Sequence, residues 1–256
     1  MNTPIADLTG RRLLVIGASR GIGLAIATRA AGLGALVHLT ARSAPAAADT
    51  AARLAAEHGA QVTGYGLDIA AADATARLDA VLDAAGPLDA LIYNAGVSPV
   101  YARPEKIGDE DFDAIARVNL RGPFIAARGF GARCLAAKRP GAIVFIASVA
   151  SLVGTPRLSV YAATKAGVAG LTRGLAVDWA QDGIRVNAVA PGWVATDMTQ
   201  GLQDNPHLHQ RLTARVPMGR FAQPDEIADV ALFLASDSAR YVTGSVYSVD
   251  GGLVAG

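Results

Sequence analysis

The chain has 256 residues, with 23 Lys+Arg against 22 Asp+Glu, 52% hydrophobic residues and 18% charged ones. The charge balance leaves no electrostatic footprint for nucleic acid or an anionic membrane, and the apolar content excludes intrinsic disorder. One cysteine, Cys134, excludes a disulfide framework, an iron–sulfur cluster and a cysteine-based zinc site.

The four histidines are not spaced as a metal site; His207 and His209 follow Asn205-Pro206 in a stretch that reads as a loop, and a solvated pair is the expectation. The first apolar run, 13–16, is too short for the core of an export signal. No apolar run approaches the roughly 18 residues of a membrane span. A soluble cytoplasmic protein is therefore the default expectation.

Taken in chain order, short β-rich runs alternate with longer helical patterns. Strands are expected over 13–16, 36–40, 61–66, 90–93, 142–147, 185–189 and 245–249. Most are continuously apolar, as strands covered on both faces are. Helices are expected over 22–33, 46–58, 71–84, 109–137, 160–181 and 224–235, with Asp73, Asp109 and the Pro224-Asp225-Glu226 step as start signals. Repeated βαβ units with right-handed crossovers give an α/β class: a doubly wound Rossmann fold with a seven-stranded parallel sheet and helices on both faces. The whole of 1–256 reads as one domain. Within it, 191–223 is a long insertion carrying Trp193, Met198 and Leu202. Ligands in such folds bind beyond the carboxyl ends of the strands, so this insertion is a candidate lid.

The first motif is GASRGIG, Gly17 to Gly23, placed between the first strand and the first helix. Glycines there allow a tight turn and bring a pyrophosphate close to the positive end of the helix. Tyr161 and Lys165 are four apart and share a helix face. An ammonium beside a phenol is expected to lower its pKa from the ordinary value near 10 toward that of a neutral-pH acid/base. Only three lysines occur, Lys106, Lys138 and Lys165. No Asp or Glu occurs between Gly23 and Asp49, where a dinucleotide site for NAD carries an acid; Arg20 and Arg42 stand ready for a 2′-phosphate instead.

The G-x-x-x-G-x-G spacing, the Asn94-Ala95-Gly96 step, Asn119, Ser148, Tyr161-x-x-x-Lys165, Pro191-Gly192, Thr196 and the 249–252 VDGG run occur in order over nearly the whole chain. In this the sequence resembles the short-chain dehydrogenase/reductase family, and among its members the 3-oxoacyl-carrier-protein reductases. Its 191–223 segment is also similar to sugar-acid and polyol oxidoreductases. The resemblance implies an NADP(H)-dependent interconversion of a ketone and a secondary alcohol, with NAD(H) possible. Tyr161 would be the acid/base, Lys165 would hold the nicotinamide ribose, Ser148 would orient the substrate oxygen, and Asn119 would bind a water relaying protons from Lys165. It further implies a coenzyme site from Gly17, Ser19, Arg20, Gly21, Ile22, Gly23, Arg42, Ser43, Asp68, Ile69, Asn94, Ala95, Gly96, Tyr161, Lys165, Pro191, Gly192, Val194 and Thr196.

A substrate pocket is expected from Ser98, Tyr101, Ala150, Arg157, Trp193, Met198 and Leu202, with Arg103 and Arg157 as anchors for a carboxylate or phosphate or else as ordinary rim charges. An acyl-carrier partner would want a basic patch, for which Arg121, Arg128 and Arg133 are candidates. A homotetramer is implied. The alternatives are a sugar-acid or polyol dehydrogenase using NAD(H), and a non-catalytic dinucleotide-binding sensor. Two positions depart from the family pattern: Ile16 replaces a Thr, and Tyr93 replaces the first Asn of NNAG. A paired repacking that exchanges a hydrogen bond for apolar contact is expected there.

Overall fold

A computed structural model describes residues 7–98 and 100–256. The first six residues lie outside it. Seven strands form one parallel sheet: β1 (Arg12–Ile16), β2 (Leu36–Ala41), β3 (Val62–Gly66), β4 (Ala90–Tyr93), β5 (Gly141–Ile146), β6 (Ile184–Pro191) and β7 (Val246–Val249). Their order is β3-β2-β1-β4-β5-β6-β7. The chain therefore leaves β1 in one direction and returns to its other side as β4. The crevice between their carboxyl ends is where doubly wound sheets bind ligands.

Helices cover both faces. On one face lie α1 (Gly21–Gly32) and α2 (Ala44–His58), whose buried Ile26, Ala30 and Leu54 pack on Val15, Val37 and Leu39. On the other lies α3 (Ala74–Ala85), whose Leu78 and Leu82 meet Leu14 and Leu91. The central strands are buried on both sides, which is why their sequence runs apolar without alternation. Each fully buried Leu or Phe contributes about 1.5–3 kcal/mol. Ser43 caps α2, its Oγ accepting from the Ala46 N–H, and Gly59 closes that helix in the left-handed region.

The sequence pattern suggested one helix over 109–137. The structure instead has α4 (Asp109–Ala116), a π turn at Arg117–Arg121 and α5 (Gly122–Ala136). Pro123 is the physical reason: it has no N–H to continue the ladder. After β5 comes α6 (Ser159–Trp179), the longest helix of the chain, which packs on β6.

The 191–223 insertion is not irregular. It holds α7 (Gln200–Gln203) and α8 (Pro206–Thr213), the latter capped by the Asn205 side chain. His207 and His209 therefore sit on a helix, not a loop, because Asn205-Pro206 is a helix start. His209 packs its ring 5.0 Å from that of Phe221. The two ends of the insertion are tied together: Ala222 N–H donates to the Trp193 carbonyl at 2.8 Å and Ala195 N–H to the Ala222 carbonyl at 2.9 Å. Finally α9 (Pro224–Ala235) completes the first face beside α1, and its Glu226 side chain accepts from the Gln223 N–H.

Candidate active site

The glycine loop leaves β1 and starts α1. Gly17 has φ +83°, and a Cβ there would lie 2.8 Å from the Ala95 backbone. A Cβ at Gly23 would lie 2.1 Å from the Gly17 carbonyl. Both positions thus need glycine, one for its backbone angle and close approach, the other for close approach alone. Asn94 Nδ2 donates to the same Gly17 carbonyl at 2.6 Å, so the NAG step and the glycine loop hold each other. The Gly17 N–H donates to Thr40 Oγ1 at 3.1 Å. Thr40 escaped the sequence reading; its signal was a lone hydroxyl ending an apolar strand, next to a loop whose preceding residue, Ile16, has none. The cradle of backbone at the start of α1 fits a dinucleotide pyrophosphate. Around its rim, Ser19, Arg20, Arg42 and Ser43 are exposed, and Arg20 stands 3.6 Å from Asp197. Asp68 is exposed, whereas Ile69 turns its side chain into the core against Gly122.

The second cluster is assembled by β4, β5, α6 and the π turn. Ser148 lies two residues past β5, with its Oγ accepting from the Ala150 N–H at 3.1 Å and its hydroxyl beside the Tyr161 phenol. Lys165 is 4% exposed; its Nζ donates to the Ile146 carbonyl at 2.8 Å and lies 5.6 Å from the centre of the Tyr161 ring. Asn119 is wholly buried. Its Oδ1 accepts from the Val97 N–H and its Nδ2 donates to the Val97 carbonyl, each at 2.8 Å. Lys165 Nζ and Asn119 Oδ1 both stand 3.6 Å from where a Gly96 Cβ would lie. All four residues of the expected constellation, with Gly96, therefore share one locus.

Two expectations need correction. Tyr161 has its pKa raised, not lowered: burial dominates, and the Ser148 hydroxyl offsets it in part. The Lys165 ammonium lies over the ring and donates to the Ile146 carbonyl. Burial in turn lowers Lys165 to about 8. The departure at Tyr93 is also not purely apolar. Ile16 and Tyr93 are register partners, as adjacent strands should make them, but the buried Tyr93 hydroxyl donates to the Val118 carbonyl at 2.7 Å. Thr164, unremarked in the sequence, donates to the Tyr161 carbonyl at 2.7 Å and accepts from Asn119 Nδ2 at 3.4 Å.

The expected substrate-pocket residues are more dispersed. Ala150 is buried beside Ser148, and Trp193 stacks on Phe221 at 6.0 Å. Tyr101 and Met198 are exposed, and the Arg157 guanidinium lies 5.5 Å from the Tyr101 ring centre on a backbone with φ +64°. Arg103 pairs with Glu105 at the surface. Of the coenzyme set beyond the loop, Pro191 and Val194 are buried, and Gly192 approaches Asp250 so closely that a Cβ would lie 2.9 Å from it. Thr196 opens a short turn, its N–H donating to Thr199 Oγ1. Among the described residues no cluster of three or more His, Cys, Asp or Glu could hold a metal, and no helix is long and apolar enough to cross a membrane.

A parallel sheet with a glycine-loop crevice and a Ser–Tyr–Lys cluster at its carboxyl edge defines a nicotinamide-linked oxidoreductase. The chain belongs to the short-chain dehydrogenase/reductase family: residues 17–254 match the family described as "Enoyl-(Acyl carrier protein) reductase". It is 40% identical over 247 residues to galactitol 2-dehydrogenase (L-tagatose-forming) of Cereibacter sphaeroides, covering 96% of this chain and 95% of that protein. It is 37% identical over 250 residues to a 3-oxoacyl-[acyl-carrier-protein] reductase of Synechocystis, covering 96% and 98%. The crystal structure of a gluconate 5-dehydrogenase from Burkholderia cenocepacia in complex with NADP and tartrate superposes with a TM-score of 0.93 at 35% identity, covering 99% of this chain and 100% of that one.

Proposed function

We propose that the protein is an NADP(H)-dependent oxidoreductase that interconverts a ketone and a secondary alcohol, with Tyr161 as the acid/base. The observation that carries the reading is the buried Lys165 ammonium against the Tyr161 ring, with the Ser148 hydroxyl beside the phenol. The Gly17–Gly23 loop and the start of α1 hold the pyrophosphate. Arg20 and Arg42, with Ser19 and Ser43, take the 2′-phosphate. Asn94–Gly96, Pro191, Gly192, Val194 and Thr196 line the nicotinamide end. When bound, the coenzyme supplies or accepts the hydride. In the reducing direction Tyr161 Oη donates its proton to the carbonyl oxygen, which becomes the alcohol hydroxyl. Ser148 Oγ orients that oxygen and stabilises the charge that develops on it. A phenol whose pKa is raised by burial is a proton donor at neutral pH. The nearby Lys165 favours the phenolate once the donation occurs. The Asn119 side chain is engaged by Val97, so it acts here by fixing the Gly96–Val97 backbone beside Lys165.

The substrate class favoured is a polyol or sugar acid: relatives named for galactitol and gluconate lie as close as those named for acyl-carrier-protein substrates. Arg157 beside Tyr101 is then the group for a substrate carboxylate, and the 191–223 helices close over it as a lid. A homotetramer fits the groove between α4–α5 and α6, where Phe124 and Leu171 flank Gly170 and Gly174, positions with open space before them. NADPH oxidation by keto-sugar acids, open-chain ketoses and a 3-oxoacyl thioester, with NADH in parallel, tests the reading. Turnover with NADPH that disappears in Tyr161→Phe supports it, and Arg42→Ala should lower the NADPH-to-NADH preference by about 10–100-fold. A Tyr161→Phe enzyme as active as the native one refutes it.

A further inference from the structure

The π turn between α4 and α5 leaves the Val118 carbonyl without a helical partner. The Gly122 N–H donates to the Arg117 carbonyl, five residues back, instead of to Val118. The next residue, Pro123, has no N–H to offer Val118 in its turn. A buried carbonyl stranded in this way is unfavourable unless something outside the helix donates to it. The Tyr93 hydroxyl does so at 2.7 Å. It reaches the carbonyl only because residue 122 is glycine: a Cβ there would lie 2.0 Å from the hydroxyl oxygen. The same short stretch of chain is tied to the turn a second time, through Val97 and the Asn119 side chain. The exit of β4 and the π turn are thus held together at both ends, at Tyr93–Val118 and at Val97–Asn119, with Gly96 and Lys165 Nζ in between.

We propose that Tyr93 is a positioning residue: its hydroxyl supplies the hydrogen bond that the Gly122–Pro123 step denies to Val118, and so locks the π turn that sets Asn119 beside Lys165. The proposal rests on the Tyr161-centred reading for its effect on turnover, but not for its effect on the turn. Without the hydroxyl, the turn escapes the stranded carbonyl by changing its hydrogen-bond register. That change moves Asn119 relative to Val97, Gly96 and Lys165. The groups packed on Lys165 Nζ are the Ile146 carbonyl of β5, the Tyr161 ring of α6 and, across Gly96, the Asn119 amide. Burial is the one cause that shifts its titration. Moving the amide therefore changes the polar surroundings of an ammonium that has few others.

Tyr93→Phe keeps the ring and removes only the hydroxyl. Turnover is to be counted per coenzyme-binding site, well below the melting temperature, so that loss of folded protein does not enter. The expected result is a roughly tenfold lower kcat per site, a displaced pH–rate profile, and faster hydrogen exchange at the amides of 117–122. A variant that melts earlier but keeps the native kcat per site and the native pH–rate profile overturns the proposal, because a merely structural hydroxyl would act that way. Should the variant not fold, hydrogen exchange of the native enzyme decides. The 117–122 amides protected to the level of β4 support the lock, and exchange at surface-loop rates refutes it. If Tyr161→Phe proves fully active, the catalytic reading fails, while hydrogen exchange in Tyr93→Phe still reports on the lock itself.

Discussion

Gly23→Ala tests how the coenzyme loop is built. The added methyl would lie 2.1 Å from the Gly17 carbonyl oxygen and 2.5 Å from Asn94 Nδ2. These are the acceptor and donor of one hydrogen bond, 2.6 Å long. The methyl therefore meets both partners of that bond, and neither belongs to a flexible side-chain end that can swing away at no cost. Forcing a methylene-sized group into close packing costs about 1–3 kcal/mol. Stranding a part-buried carbonyl and amide costs about 1–3 kcal/mol more. The sum, about 2–6 kcal/mol, corresponds to a fall in Tm of roughly 4–12 °C for a chain of this size. The perturbation falls on the cradle itself, so NADPH affinity by fluorescence titration should weaken at least about tenfold. A variant that melts within a degree or two of the native protein and binds NADPH equally well would refute the account of the loop as a mutually braced pair of glycines.

Other outcomes follow from buried titratable groups. Burial depresses Lys165 to about 8, so between about pH 8 and 10.5 the unfolded chain keeps a proton that the native site has released, and stability rises with pH through that window. Thermal melts of the coenzyme-free protein should show this rise, amounting to no more than about 3 kcal/mol, and Lys165→Met should remove it; equal slopes in both proteins would be the contrary result. His38 is held neutral by burial and by nearby Arg12, with its Nδ1 3.1 Å from the Tyr65 hydroxyl. Its native pKa is lowered, so stability is whole above the unfolded value near 6.5 and declines as pH falls below it. Denaturant midpoints measured over that acid range should fall less steeply in His38→Phe than in the native protein.

Most of the fold was legible because parallel strands buried on both faces leave continuous apolar runs, and most of the seven strands carry such a run at βαβ spacing. The site was legible for a related reason. Gly17, Gly23, Asn94 and Lys165 answer to constraints of close approach and burial that few other residues satisfy. What escaped was long-range pairing. Nothing near Thr40 in the sequence says that it receives the Gly17 N–H, and nothing near Tyr93 says that its hydroxyl ends on Val118. The π turn was hidden because Gly122-Pro123 sits inside an otherwise good helical pattern, and a proline at the start of a helix looks the same as one that interrupts it. The direction of the Tyr161 shift was missed because sequence spacing puts Lys165 near the ring but says nothing of how deeply the phenol is buried.

Asp250 accepts from the Gly252 and Val254 N–H groups, and the Met218 N–H donates to the Gly251 carbonyl. A Cβ at Gly251 would lie 2.7 Å from Val216, and one at Gly252 would lie 3.0 Å from Pro217. The base of the 191–223 insertion is therefore clasped by the turn that follows β7. During synthesis the insertion leaves the ribosome well before that turn exists, so this clasp on its base forms only after the last strand of the sheet has been added. A nascent chain halted a few residues before Asp250 would therefore lack the clasp on Val216, Pro217 and Met218.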